Sequence, residues 1–108
     1  MVETKQTIAH TELKEKAKVF LRKEGFRNIT EEYFTGVFYT GYAICYREAV
    51  VDVVGFKGDR MALVECGSVT HGKLRTLSRH FKEVYHLPYG GEVKRVEKLP
   101  KEYWWEIK

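Results

Sequence analysis

From Thr11 to Glu24 the apolar side chains Leu13, Ala17, Phe20 and Leu21 recur at steps of three and four, which places them on one face of a helix. Thr11 can cap the start of that helix and Gly25 can close its end. The pattern then changes. Ile29 to Tyr46 carries Tyr33, Phe34, Phe38, Tyr39, Tyr42 and Tyr46, punctuated by Gly36 and Gly41. Aromatic and β-branched residues between glycines predict strands or a hairpin, with a short helical start near Thr30 as the alternative. Residues 50 to 68, VVDVVGFKGDRMALVECGS, form an apolar run interrupted by Gly58-Asp59, a dipeptide suited to a two-residue hairpin turn. After the loop SVTHG, Leu74, Leu77, Phe81 and Val84 return to helical steps and predict a second helix from Lys73 to about Tyr85. YHLPYGG reads as a short strand ended by Pro88 and two glycines. EYWWEIK alternates Tyr103, Trp105 and Ile107 as a terminal strand would, which turns Trp104 outward as an interface candidate; EVKRVEKLPK fits neither period.

Helix, strands, helix, strand, strand is the order of an α/β domain with a mixed central sheet flanked by helices. The 108 residues suffice for one such core, so residues 1 to 108 are expected to form a single domain. No run approaches the ~18 apolar residues of a membrane span, and the N-terminal stretch lacks the apolar centre of a signal peptide. A soluble, cytoplasmic protein with no membrane partner is the expectation. Abundant Lys and Glu, with one Gln and one Asn, suit a thermophilic, archaeal source. The net charge of +4 favours encounter with phosphate backbones. Cys45 and Cys66 match no disulfide framework and no zinc spacing, and read as buried free thiols.

The apolar run contains two acids. A turn centred on Gly58-Asp59 opposes Phe56 to Met61, Val54 to Leu63 and Asp52 to Glu65. Period-two alternation then puts both acids on the face of Val54, Phe56, Met61 and Leu63, with Val51, Val53, Ala62, Val64 and Cys66 on the other. Directly opposed like charges destabilise a sheet. Protonation of one acid, a basic neighbour such as Arg47 or Arg75, or a shared divalent cation can each relieve the repulsion, and Asp52 can also cap a strand end.

An opening helix KAKVFLRKEGF with an acid, a strand ending Val51-Asp52, a turn, and a strand ending ALVEC resemble the restriction-endonuclease-like, or PD-(D/E)xK, nuclease superfamily. The layout is most similar to archaeal Holliday-junction resolvases, and KLRTLSRHFKEVYHLPY fits the helix and strand that follow. The resemblance implies Mg²⁺ or Mn²⁺ held by Asp52, Glu65 and the backbone carbonyl of Cys66, with Glu15, or less well Glu12, as the acid of the first helix. It also implies hydrolysis of nucleic acid, DNA more than RNA. The superfamily lysine two residues beyond the second acid is replaced by Gly67. Lys73, Arg75, Lys57 and His71 are the candidates for a relocated basic group. A domain that has lost catalysis and serves as a binding or assembly module is the alternative.

Arg22, Lys23, Arg27, Lys57, His71 and Arg75, with Lys73, are the expected nucleic-acid contacts. Arg79 and Lys82 lie farther along the second helix and read as a solvated face. The aromatic segment from Tyr33 to Tyr46 can stack on bases or support a homodimer. His10, His80 and His86 show no ligand spacing and receive no role.

Overall fold

A computed structural model describes residues 5–40 and 46–96, with side chains from Ile8 onward. Helix α1 spans Lys5–Lys23, strand β1 Arg27–Thr40, β2 Tyr46–Lys57, β3 Arg60–Cys66, helix α2 His71–His80, β4 Glu83–Leu87 and β5 Lys94–Arg95. The strands form one sheet in the order β1-β2-β3-β4-β5. Pairing is antiparallel except between β3 and β4, which run parallel across α2, so the sheet is mixed as expected.

Leu13, Ala17 and Leu21 pack the buried face of α1 onto Val53, Ala62, Val64, Cys66 and Leu87. Leu77 of α2 packs on Ala49, Val51, Val54, Leu63 and Val84, on the other side of the sheet. The α1 face admits a close approach because position 55 is glycine: a β-carbon there would lie 2.9 Å from Phe26 Cβ and 3.0 Å from Ile29 Cδ1. Helix α1 ends where Gly25, at φ 90°, donates its N–H to Arg22 O and Phe26 donates to Leu21 O. These are the two bonds of a Schellman closure, and buried Phe26 and Leu21 supply its apolar contact.

Several boundaries differ from the sequence pattern, among them the start of α2, at His71 instead of Lys73. The first helix begins at Lys5 instead of Thr11, six residues earlier. The aromatic segment is strand from its start, with no helical turn at Thr30. The second helix stops at His80, because Phe81 is extended (φ −127°, ψ 142°) and Val84, Tyr85 and Leu87 alternate in β4 against β3. Val84 continues the helical steps of Leu77 and Phe81 in sequence, and its pairing with Leu63 of β3 is what makes it strand. EYWWEIK, with Trp104, and Cys45 lie outside the described residues. No described helix is long and apolar enough to cross a membrane.

Candidate functional site

The hairpin turn falls at Gly58-Asp59, and Phe56 opposes Met61 and Val54 opposes Leu63 as the spacing predicts. The ladder ends at Val53 and Val64, one step before the acids. There the Asp52 carboxylate takes the place of a backbone acceptor: its Oδ2 receives the N–H of Cys66 at 2.8 Å. Asp52 therefore caps the end of the β2–β3 ladder.

The expected common face for the two acids is corrected. Ala49 and Val51 belong to the α2 side, but Val53 belongs to the α1 side and Val54 again to the α2 side. Alternation in β2 thus breaks at Asp52, opposite Glu32 of β1, whose φ of 52° lies in the left-handed region. The β1–β2 pairing runs from Glu31 with Val53 to Tyr33 with Val51 and skips the residues between. Asp52 is left with His10 of α1, whose Nε2 lies 3.5 Å from Asp52 Oδ2 and 3.2 Å from the Cys66 carbonyl. With acceptors on both sides, Nε2 carries the proton and donates it.

Glu65 keeps the α2 side. It is 3% exposed, and its Oε2 receives the Lys73 ammonium at 3.0 Å, which also donates to Val50 O at 2.8 Å. Thr70 sets this geometry by capping α2: its Oγ1 accepts the Lys73 N–H at 3.2 Å, so Lys73 stands in the first turn, facing β2 and β3. Burial pushes the Glu65 carboxyl up to about 7, opposed by the Lys73 charge and reinforced by the Asp52 charge. Glu65 Oε1 has no hydrogen-bond partner among the described residues. Burial, then Asp52 and Glu65, push the Cys66 thiol up to about 12, so it stays protonated and unreactive.

A lysine at position 67, which the resemblance implies, would be strained there. Gly67 has φ 79°, and a β-carbon there would meet the Tyr89 ring at 2.7 to 2.9 Å. The Gly67 N–H donates to Leu87 O at 2.8 Å, and its carbonyl faces His86 Nε2 at 2.7 Å, so β4 and its following turn enclose it. The ammonium beside Glu65 comes instead from Lys73, eight residues on.

Other expected site residues lie elsewhere. Glu15 points outward to Lys18 at 3.1 Å with its side chain 63% exposed, and Glu12 is exposed; neither reaches Asp52. The α1 residue that contacts Asp52 is His10, whose spacing in the sequence suggests no ligand role. A sequence signal exists for it, since His10, Leu13, Ala17 and Leu21 follow one stripe at steps of three and four. Arg22 and Lys23 occupy the last turn of α1, roughly 18 Å along the helix from His10 at ~1.5 Å per residue. Arg27 opens β1 opposite Phe56, and Lys57 Nζ donates to Glu24 O at 3.2 Å. These four residues gather at the turn end of the hairpin and do not rim the acids. His71 is exposed at the start of α2. Arg75, two residues beyond Lys73, is rotated by roughly 200° about the helix and presents a different side.

Among the described residues no three His, Cys, Asp or Glu side chains form a metal-holding group. The donors at the strand end are two carboxylates, one with an unpartnered oxygen, and the Cys66 carbonyl. All are oxygen, and a carbonyl bonded once keeps a second lone pair. Oxygen donors are the kind Mg²⁺ takes, but Asp52 stands with His10 on the α1 side and Glu65 with Lys73 on the α2 side, so the two carboxylates do not share a face. No known protein family, no curated protein and no solved structure matches the chain.

Proposed function

We propose that the chain is a restriction-endonuclease-like domain that hydrolyses phosphodiester bonds in DNA, and RNA to a lesser degree, with Mg²⁺ or Mn²⁺. The single observation that carries this proposal is the Lys73 ammonium 3.0 Å from Glu65, at a strand end where position 67 is a glycine of positive φ. When bound, the cation would supply an activated water and neutralise charge on the scissile phosphate. Asp52 and the Cys66 carbonyl, which share His10, would be its nearest donors, and Glu65, held by Lys73 on the other side of the sheet, would add negative charge without sharing their face. Lys73 holds the Glu65 carboxylate in place and sets a fixed positive charge beside it. His10 orients the Cys66 carbonyl and the Asp52 carboxylate through Nε2–H.

A non-catalytic nucleic-acid-binding or assembly module is the second reading. It is favoured by the engagement of Asp52 Oδ2 with the Cys66 N–H and by burial that favours neutral Glu65. Incubation with branched, duplex and single-stranded substrates in Mg²⁺ or Mn²⁺ separates the two. Cleavage abolished by Asp52→Ala, Glu65→Gln and Lys73→Met supports the nuclease. Cleavage that persists in all three variants, or no cleavage by the wild type, overturns it.

A further inference from the structure

We propose that a basic cleft at the C-terminal end of α2 is a second phosphate site, which holds a nucleic-acid backbone at a distance from Asp52 and Glu65. The choice of nucleic acid as occupant rests on the function proposed above. The cleft has a volume of about 510 Å³, and Arg79, His80, Lys82 and Arg95 line it together with Ser78 and Phe81. Its described lining contains no carboxylate. Glu83, the adjacent acid, is held by Arg60 through two bonds of 3.0 and 2.7 Å.

Arg79 and His80 alone would be accounted for by the negative end of the helix dipole, which attracts cations in the last turn. Lys82 and Arg95 lie outside the helix, in the connection to β4 and in β5, so the dipole does not explain their convergence. Helix closure does not require them either, because the Phe81 N–H already returns to Leu77 O at 2.8 Å. The Arg95 guanidinium is fixed at the cleft: β5 pairs Arg95 with Tyr85, and its Nη2 donates to Lys82 O at 3.2 Å. Side chains from α2, the connection after it and β5 thus share one concavity, where Glu83 offsets the Arg95 charge in part and a phosphate would add to that offset. Guanidinium forks match phosphate oxygens in particular.

Helix α2 begins at the Lys73 end and finishes at this cleft. Lys73 and His80 are separated by roughly 10 Å along the helix at ~1.5 Å per residue. That length corresponds to about three phosphates of one strand at ~3.4 Å of axial rise. One strand can therefore reach both places.

Fluorescence anisotropy of a labelled duplex oligonucleotide, in metal-free buffer across a salt series, tests this site. The paired variant Lys82→Gln with Arg95→Gln is expected to lose about tenfold or more in affinity. Its slope of log K against log salt should fall by about two, near 0.9 for each lost phosphate contact. Removing the same charge from α1, with Lys16→Gln and Lys18→Gln, should leave both quantities unchanged. The charge-keeping pair Lys82→Arg with Arg95→Lys should restore the slope, which separates charge from folding damage. Unchanged binding in the Gln pair, no binding by the wild type, or inorganic phosphate competing as tightly as the oligonucleotide would each overturn the proposal. Failure of the nuclease function would appear in the Mg²⁺ cleavage assay instead, since this measurement does not depend on hydrolysis.

Discussion

Glu65 and Glu83 each meet one cation within 3.0 Å, yet their carboxyls move in opposite directions. At Glu83 the hydrogen bonds from Arg60 dominate and hold the carboxyl below its ordinary value. Glu31, on the surface between α1 and β1, is lowered in the same way, first by the Lys18 hydrogen bond. At Glu65 desolvation outweighs Lys73 and lifts the carboxyl to about 7. An ion pair near water reports its partner, whereas a buried one reports its dielectric. Only the second kind holds a group ready to change charge near neutrality.

Breaking the buried pair should produce the largest effect. Lys73→Met leaves Glu65 buried without its cation and should cost about 3 to 5 kcal/mol at pH 8. At pH 5, where Glu65 is protonated, the loss should be smaller. Urea unfolding at both values measures the difference, and equal losses would mean that Lys73 contributes packing alone.

The two kinds of carboxylate should also give stability slopes of opposite sign. Between pH 4.5 and about 7 the folded Glu65 keeps a proton that the unfolded chain has released. Stability therefore falls as pH rises through that window, by up to about 3 kcal/mol at 1.36 kcal/mol per unit. Glu65→Gln should flatten the slope. Glu31 and Glu83 titrate lower when folded, so their contribution is present above the unfolded value and is lost as the medium becomes more acidic than pH 4.5. Thermal denaturation from pH 3 to 8 should thus show a maximum near the ordinary carboxylate value, displaced upward in Glu65→Gln.

A packing change provides the uncharged reference. Gly55→Ala forces a β-carbon against Phe26 and Ile29 and should cost about 1 to 3 kcal/mol by the same amount at every pH. The smallest effect belongs to the exposed side. Lys18→Met removes the partner of Glu15 and one of the two lysines at Glu31, and should cost about 0.5 kcal/mol, less in high salt. A loss above about 1 kcal/mol there would erase the contrast drawn with Glu65.

The apolar face of α1, the turn at Gly58-Asp59 and the register of Val54 with Leu63 follow from spacing alone, because each depends on residues close in the chain. The mixed sheet was legible for the same reason, as an order of elements. Other features required contacts between distant segments. Val84 fits the helical steps that run through Leu77 and Phe81, and its pairing with Leu63 of β3 decides for strand. The break in alternation at Asp52 arises beside β1, twenty residues away at Glu32, and divides two acids that simple alternation unites. The sequence by itself determined that Asp52, Glu65 and a missing lysine at Gly67 would meet near one strand end. Only the tertiary structure decided that Tyr89 closes position 67, that Lys73 supplies the ammonium, and that His10 occupies the place given to Glu15. Spacing sets the face a side chain leaves from only while the strand stays regular, and which charge waits there depends on how α1 and α2 are laid across the sheet.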